Sequence, residues 1–231
     1  MKTVVCVWWG NKFPIEYVYN LKAGVERNTT IPFNFVCYTD QNIPGIETRR
    51  LKPGFDGWWN KLQIFDPALK AGDQVVYIDL DTIIVGNIDW LLEHKSWFMG
   101  IEDVGAVNVH QPHLKGVLQT GVMSFDHDAN GFVYVDFVMN YEDIKHDFRG
   151  DGEYLNTKIN PYHRKLLQHE YPNALKSYKY DIYPNRPQSE EVSIICFHGR
   201  PSIIQAMEET ITTPMATYDP QPWIKEYWYN K

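Results

Sequence analysis

Basic charge is what this chain most lacks. Its 231 residues carry 22 Lys and Arg against 29 Asp and Glu, a formal net charge of -7, and no cluster of Lys or Arg offsets it. A nucleic-acid-binding surface needs a basic patch, so nucleic acid is excluded as a partner. Cysteine is scarce too: Cys6, Cys37 and Cys196 are odd in number, and each sits in an apolar run. They read as reduced core thiols of a cytoplasmic protein, not as a disulfide framework or a metal site. No apolar run approaches about 18 residues, so no transmembrane segment is expected. The apolar part of MKTVVCVWWGNKF is too short for a signal peptide. The absence of GxxxxGK(S/T) and of GxGxxG removes the P-loop and the dinucleotide fingerprint.

What is abundant is aromatic: 15% of the residues, including 8 Trp and 15 Tyr. Such side chains fill cores and equally stack on sugars or bases. An apolar content of 44% at this length suits a soluble chain with a proper core.

The chain is organised around Val75 to Ile88, VVYIDLDTIIVGNI. Two β-branched apolar runs flank Asp79-Leu80-Asp81, the composition of a buried strand. Residues i and i+2 of a strand share a face, which predicts that Asp79 and Asp81 point the same way. Two carboxylates at the end of a buried strand make a hard-oxygen site suited to Mn²⁺ or Mg²⁺. Acidic caps on the following turn are the plainer alternative, which explains one Asp better than two.

Before that stretch, Lys2 to Trp9 reads as a strand, Pro14 to Arg27 as a helix and Phe33 to Tyr38 as a second strand, a βαβ unit with a parallel pair. Ile46 to Leu51 reads as a short strand and Trp59 to Leu69 as a helix with Lys61 near its start, where a cation is more comfortable beside an external anion, an exposed surface Lys being the plainer alternative. After it come a short helix in NIDWLLEHK, a strand over Ser96 to Ile101 and a loop over Asp103 to Lys115, whose His110 and His113 have no ligand spacing. Gly116 to Phe125 reads as a strand interrupted at Gln119-Thr120-Gly121, and Phe132 to Tyr141 as an amphipathic helix. Asp151 and Glu153 stand near the start of the next helix, where capping competes with a catalytic role. Pro161 to Pro187 reads as irregular, and Val192 to Phe197 as a late buried strand. The Pro- and Trp-rich tail, with Trp223, Trp228 and Tyr229, is open to three uses: covering the site, packing in a dimer, or attaching to a membrane surface. The expectation is a single-domain α/β fold with a Rossmann-like, mainly parallel sheet.

Ligands of such sheets bind beyond the carboxyl ends of the strands. Trp8, Trp9, Gly10, Thr39, Asp40, Asp79 and Asp81 all fall at such ends. His198, after a late strand and before a Gly, is the best third metal ligand, and Arg200 can fork onto phosphate. Asp, Asp, His, Lys61 and Arg200 together describe a diphosphate site. Asp79-Leu80-Asp81-Thr82-Ile83 also comes close to the DxDx(T/V) of haloacid-dehalogenase-type phosphatases, but Ile83 sits where Thr or Val is expected, and that motif normally opens its domain whereas two strands precede it here. A non-catalytic nucleotide-sugar-binding protein is a third reading.

Five elements in order carry a resemblance. VVYIDLDTIIVGNI resembles the DxD segment of glycosyltransferases with the GT-A fold. His198-Gly199-Arg200-Pro201 is similar to the terminal motif of the retaining glycogenin and lipopolysaccharide galactosyltransferase group. Asn60-Lys61-Leu62, Gln119-Thr120-Gly121-Val122 and Asp151 to Asn156 resemble its "KL", "NxG" and "DQxxLN" elements. Gly152 stands where the group has Gln, and the Lys of the terminal motif is replaced by Arg200 or lost. The resemblance implies transfer of a sugar, with retention, from a nucleotide-sugar donor, most often a UDP-sugar, with residues 1–98 as the nucleotide-binding half and residues 99–231 as the sugar and acceptor half and C-terminal tail. It implies Mn²⁺ on Asp79, Asp81 and His198, and Lys61, Gly199 and Arg200 near the diphosphate. Trp8, Trp9 and Lys12 would border the nucleoside pocket, with Asp40 and Leu80 in the same donor-binding set. Thr120, Asp151 and Glu153 would face the donor sugar and a sugar, glycan or protein acceptor.

Overall fold

The structure, a computed structural model, describes residues 2–104, 115–187, 190–214 and 216–229. The expected loop with His110 and His113 falls mostly outside them.

The first strand, β1 (Lys2–Trp8), shows why the sheet is central. It pairs in parallel with β2 (Phe33–Thr39) on one side and β4 (Gln74–Ile78) on the other. Val4, Cys6 and Trp8 enter one apolar layer, and Val5 and Val7 the other. The same alternation divides Val76 and Ile78 from Val75 and Tyr77. With both faces covered, each strand reads as an unbroken apolar run. The chain steps outward from β1 to β2 and β3 (Glu47–Arg50), then crosses back to β4. β7 (Leu118–Asp126) runs antiparallel to β4, β6 (Phe98–Glu102) antiparallel to β7 and so in the direction of β4, and β8 (Arg164–Leu166) parallel to β6 at the edge. The order β3-β2-β1-β4-β7-β6-β8 reverses its direction of growth at β1 and β4, the place where open α/β sheets bind ligands.

One layer is closed by α1 (Glu16–Arg27), through Tyr17, Val18, Leu21 and Val25, and by α2 (Asp89–Glu93), through Leu91 and Leu92. The other is closed by a 3₁₀ helix (Gly57–Phe65) and the helices His127–Met139 and Asp151–Lys158. The expected helix over Trp59 to Leu69 is two 3₁₀ segments, Gly57–Phe65 and Pro67–Leu69. Pro67 disfavours helical geometry at Asp66, whose carboxylate instead accepts the Ala68 N–H at 2.9 Å. Lys61 therefore lies inside the first segment, not at the start of a long helix.

Other expectations shift in the same way. The Phe132 helix begins earlier, at His127, because Asp126 caps it by accepting the Ala129 N–H at 2.8 Å. It is not amphipathic: Val133, Tyr134 and Phe137 are buried while Phe132, Val135, Val138 and Met139 are exposed. Within residues 161–187, β8 and β9 (Leu175–Ser177) are three-residue strands, too short to leave a period in the sequence. The tail packs back on α1. Trp228 is 2% exposed, with its ring 4.7 Å from that of Tyr17, and Arg27 donates to the Tyr227 carbonyl at 2.7 Å.

The organising stretch is a hinge between two sheets. β4 stops at Ile78, and β5 (Thr82–Ile84) joins a second sheet, antiparallel to β10 (Ile194–Cys196), which runs parallel to β9. The Asp79 N–H donates to Gly121 in β7, and the Asp81 carbonyl accepts from Phe197, both at 2.8 Å. Gly86 ends this crossing. A Cβ there would stand 2.8 Å from the Val192 carbonyl oxygen, so only Gly lets the two backbones approach. Cys6, Cys37 and Cys196 are free and buried.

Candidate active site

Asp79-Leu80-Asp81 forms a turn, so the shared-face argument from strand geometry does not apply. The two carboxylates meet for another reason: the turn is the wall between two cavities, and both residues line both. The first cavity, about 260 Å³, is bordered by Trp8, Trp9, Lys12, Phe13, Trp58, Lys61 and Leu80. The second, about 300 Å³, is bordered by Gln119, Thr120, Gly121, Asp151, His198 and Gly199. The carboxyl ends of β1 and β4 make one, and the ends of β7 and β10 make the other.

A buried network sits in the wall. The Lys61 ammonium, 9% exposed as a residue, lies 3.1 Å from Asp79 Oδ2, 3.1 Å from Thr120 Oγ1 and 3.2 Å from Asp151 Oδ2. Burial alone would lower its basicity, but the charges of Asp151 and Asp79 outweigh it and hold the pKa above the usual lysine value. The Thr120 hydroxyl donates to Asp151 at 2.6 Å. The Tyr77 hydroxyl donates to Asp79 Oδ1, and burial, followed by the charge of Asp79, pushes that phenol up. Lys61 is thus an internal counterion whose charge is already taken by two carboxylates.

Asp81 is different. Burial, followed by repulsion from Asp79, pushes its carboxyl up to about 7, against the pull of Lys12 and Lys61. His198 is held down at about 4, first by burial and then by the charge of Lys179. Its imidazole is therefore neutral, the form that binds metal. At present Nε2 sits 2.7 Å from Ser177 Oγ, and the ring stacks on Tyr180 with centroids 5.5 Å apart. Among the described residues no three His, Cys, Asp or Glu side chains stand close enough to hold an ion. The donor set still fits a hard divalent cation. Mg²⁺ is commonly held by one or two carboxylates together with substrate phosphates, and Asp79 and Asp81 provide two carboxylates on one wall.

Of the residues named from the sequence, Trp8, Trp9, Lys12, Lys61, Leu80, Asp79 and Asp81 share the first cavity. Thr120, Asp151, His198 and Gly199 share the second with the two Asp. Three stand elsewhere. Asp40 lies in a neighbouring groove, joined to the first cavity through Trp9 and Gly57. Glu153 accepts the Arg149 N–H at 2.7 Å and its guanidinium at 3.4 Å, a local role at the helix start. Arg200 is exposed and borders neither cavity. Five side chains were not foreseen: Phe13, Trp58, Tyr77, Ser177 and Lys179. Tyr77 was foreseeable, two residues before Asp79 in an unbroken strand. Trp58, Ser177 and Lys179 carry no such spacing.

Solved structures share this architecture. The galactosyltransferase LgtC, solved in complex with donor and acceptor sugar analogs, aligns over 87% of this chain and 88% of its own, with TM-score 0.65 and 13% identity. The fold is that of the GT-A glycosyltransferases. GlyE, a glycosyltransferase of Streptococcus pneumoniae, aligns over 88% of this chain but 56% of its own, with TM-score 0.63 and 14% identity. The bifunctional glycosyltransferase WbbM aligns over 87% and 46%, with TM-score 0.55 and 14% identity. Identity this low carries the fold and not the activity. No protein-family model and no curated protein matches the sequence. The phosphatase reading gains no support from these likenesses. Among the described residues, no helix is long and apolar enough to cross a membrane.

Proposed function

We propose that this chain is a metal-dependent glycosyltransferase that moves a sugar from a nucleotide-diphosphate donor, a UDP-sugar by resemblance, to an acceptor hydroxyl with retention. One observation carries the reading: Asp79 and Asp81 wall off an aromatic cavity from one that presents Gln119, Thr120, Asp151 and His198. A nucleotide sugar has the same three parts, an aromatic base, an anionic diphosphate and a polyhydroxyl ring. The base suits Trp8, Trp9 and Phe13; the sugar suits Gln119, Thr120 and Asp151.

Asp79 and Asp81 would hold Mn²⁺ or Mg²⁺, with His198 on the same cavity as the third candidate ligand. When bound, the cation offsets charge developing on the departing phosphate oxygen. The protein's own part is positioning. Lys61 bridges Asp79 and Asp151 and holds their positions, and Tyr77 fixes one oxygen of Asp79. Thr120 and Asp151 orient sugar hydroxyls at the cavity wall. The bond from the anomeric carbon to the diphosphate breaks, a bond to the acceptor oxygen forms, and the acceptor proton passes to the departing phosphate. Attack on the leaving group's own face is favoured by one feature of the second cavity. Apart from Asp79 and Asp81, its carboxylate among the described residues is Asp151, whose Oδ2 is already engaged by Lys61 and Thr120 and is not free to meet an acceptor hydroxyl.

The test is release of UDP from a panel of UDP-sugars, with Mn²⁺ and with EDTA. Release that depends on Mn²⁺ is expected. UDP binding without turnover of any donor, with or without acceptor candidates, would leave a binding protein in place of an enzyme.

A further inference from the structure

The cation expected to meet a diphosphate cannot be Lys61, because Asp79 and Asp151 already neutralise it. Arg200 is exposed and away from both cavities. Lys12 faces the first cavity from an exposed position, its ammonium 4.7 Å above the Phe13 ring. A diphosphate bridging the two cavities would lack a cation on the side of the second.

Lys179 does not line that cavity but stands next to Gly199, which does. It follows β9 in the π-helical turn Tyr178–Ile182, and β9 runs beside β10, which leads into His198 and Gly199. Gly199 has φ +77°, a backbone conformation that side-chain-bearing residues rarely adopt, and a Cβ there would lie 3.8 Å from Lys179 Nζ. The bare glycine leaves the ammonium open toward a residue that lines the cavity with Asp79 and Asp81. Lys179 is half-buried, and among the described residues no carboxylate or carbonyl pairs with its ammonium. Burial lowers its basicity, with no acidic neighbour in opposition. A partly desolvated cation without a counterion is unfavourable unless an anion joins it.

We propose that Lys179 binds the diphosphate of the donor over Gly199 and carries part of the charge of the departing nucleoside diphosphate. This rests on the glycosyltransferase reading above. It assigns to a residue of the β9 turn the phosphate contact that the terminal His-Gly-Arg-Pro segment does not supply.

The experiment compares wild type, Lys179→Gln, Lys179→Arg and, as a surface control, Lys165→Gln, each checked for an unchanged circular-dichroism melt. Affinity is measured by calorimetry with Mn²⁺ for the nucleoside diphosphate that wild type binds best among UDP, GDP, CDP and ADP, and for its nucleoside. Lys179→Gln is expected to weaken the diphosphate about tenfold or more, the loss of one charge-assisted hydrogen bond, and to leave the nucleoside unchanged. Lys179→Arg should recover most of the loss, and Lys165→Gln should match wild type. If Lys179→Gln binds the diphosphate as tightly as wild type, Lys179 is not the contact and the glycosyltransferase reading stands. If wild type binds no nucleoside diphosphate, both fall together. An equal loss in diphosphate and nucleoside, unrescued by Arg, assigns Lys179 to the fold and overturns the proposal.

Discussion

Asp81→Asn is expected to lower Mn²⁺-dependent UDP-sugar turnover by about a hundredfold or more, and at the same time to raise the melting temperature at pH 8 by about 2–4 °C. The two effects have one cause. Asp81 lies beside Asp79 on the wall between the cavities, and burial followed by that neighbouring charge pushes its carboxyl up to about 7. An unfolded Asp titrates near 3.9. From about pH 4 to 7 the folded chain therefore holds a proton that the unfolded chain has released. Stability contributed by the protonated form is present below the unfolded value and lost as the pH rises through 7. Asn keeps the shape, removes the charge and with it the penalty, so the gain is full above pH 7 and vanishes near pH 3.5. Turnover falls because a ligand oxygen of the cation has become an amide. Melting curves at the two pH values, with initial rates at pH 8, check both parts. Lost turnover with no gain at pH 8 would mean that Asp81 is not strained by its surroundings. Unchanged turnover would remove the carboxylate pair from the reaction.

Trp228→Ala is expected to cost about 3–5 kcal/mol, which lowers the melting temperature by roughly 6–20 °C. Trp228 is the largest of the fully buried side chains and packs edge-on against Tyr17 of α1. Its helix is also tied to α1 by Arg27. Truncation opens a cavity that the 3₁₀ segment Pro222–Ile224, with buried Ile224, cannot collapse to fill. The variant should keep its donor KM below its melting transition, since Trp228 borders neither cavity. Calorimetric melts and KM measured well below the transition test this. A melt within 2 °C of wild type would leave the tail free for the uses the sequence left open, a cover over the site or an interface.

The main sheet was legible because its strands are buried on both faces. VVCVW, FVCY and VVYI each form an unbroken apolar run, and turn residues separate them. Their carboxyl ends identified Trp8, Trp9, Asp79 and Asp81 as neighbours before any coordinates. What escaped was set by tertiary contact. The turn at Asp79-Leu80-Asp81 exists because β5 leaves one sheet for another, a change that no local pattern in VVYIDLDTIIVG announces. Lys61 reads as a cation awaiting an anion until Asp151, ninety residues later in the chain, is seen beside it. Glu153 stands beside a helix start and Arg200 beyond a strand end, positions that do not fix where a side chain points. The fold turns one toward Arg149 and the other toward solvent. Lys179 lies in a Tyr-rich stretch whose three-residue strand has no readable period, so its closeness to Gly199 appears only through the pairing of β9 with β10.

The central claim is that the Asp79–Asp81 wall receives a cation and a nucleoside diphosphate together. Isothermal titration of UDP into the wild-type protein, once with Mn²⁺ and once with EDTA, addresses it most directly. The account predicts binding with Mn²⁺ that weakens about tenfold or more in EDTA, a difference of about 1.4 kcal/mol or greater, and that disappears in Asp79→Ala. Equal affinity under both conditions, or binding that survives Asp79→Ala, would contradict it.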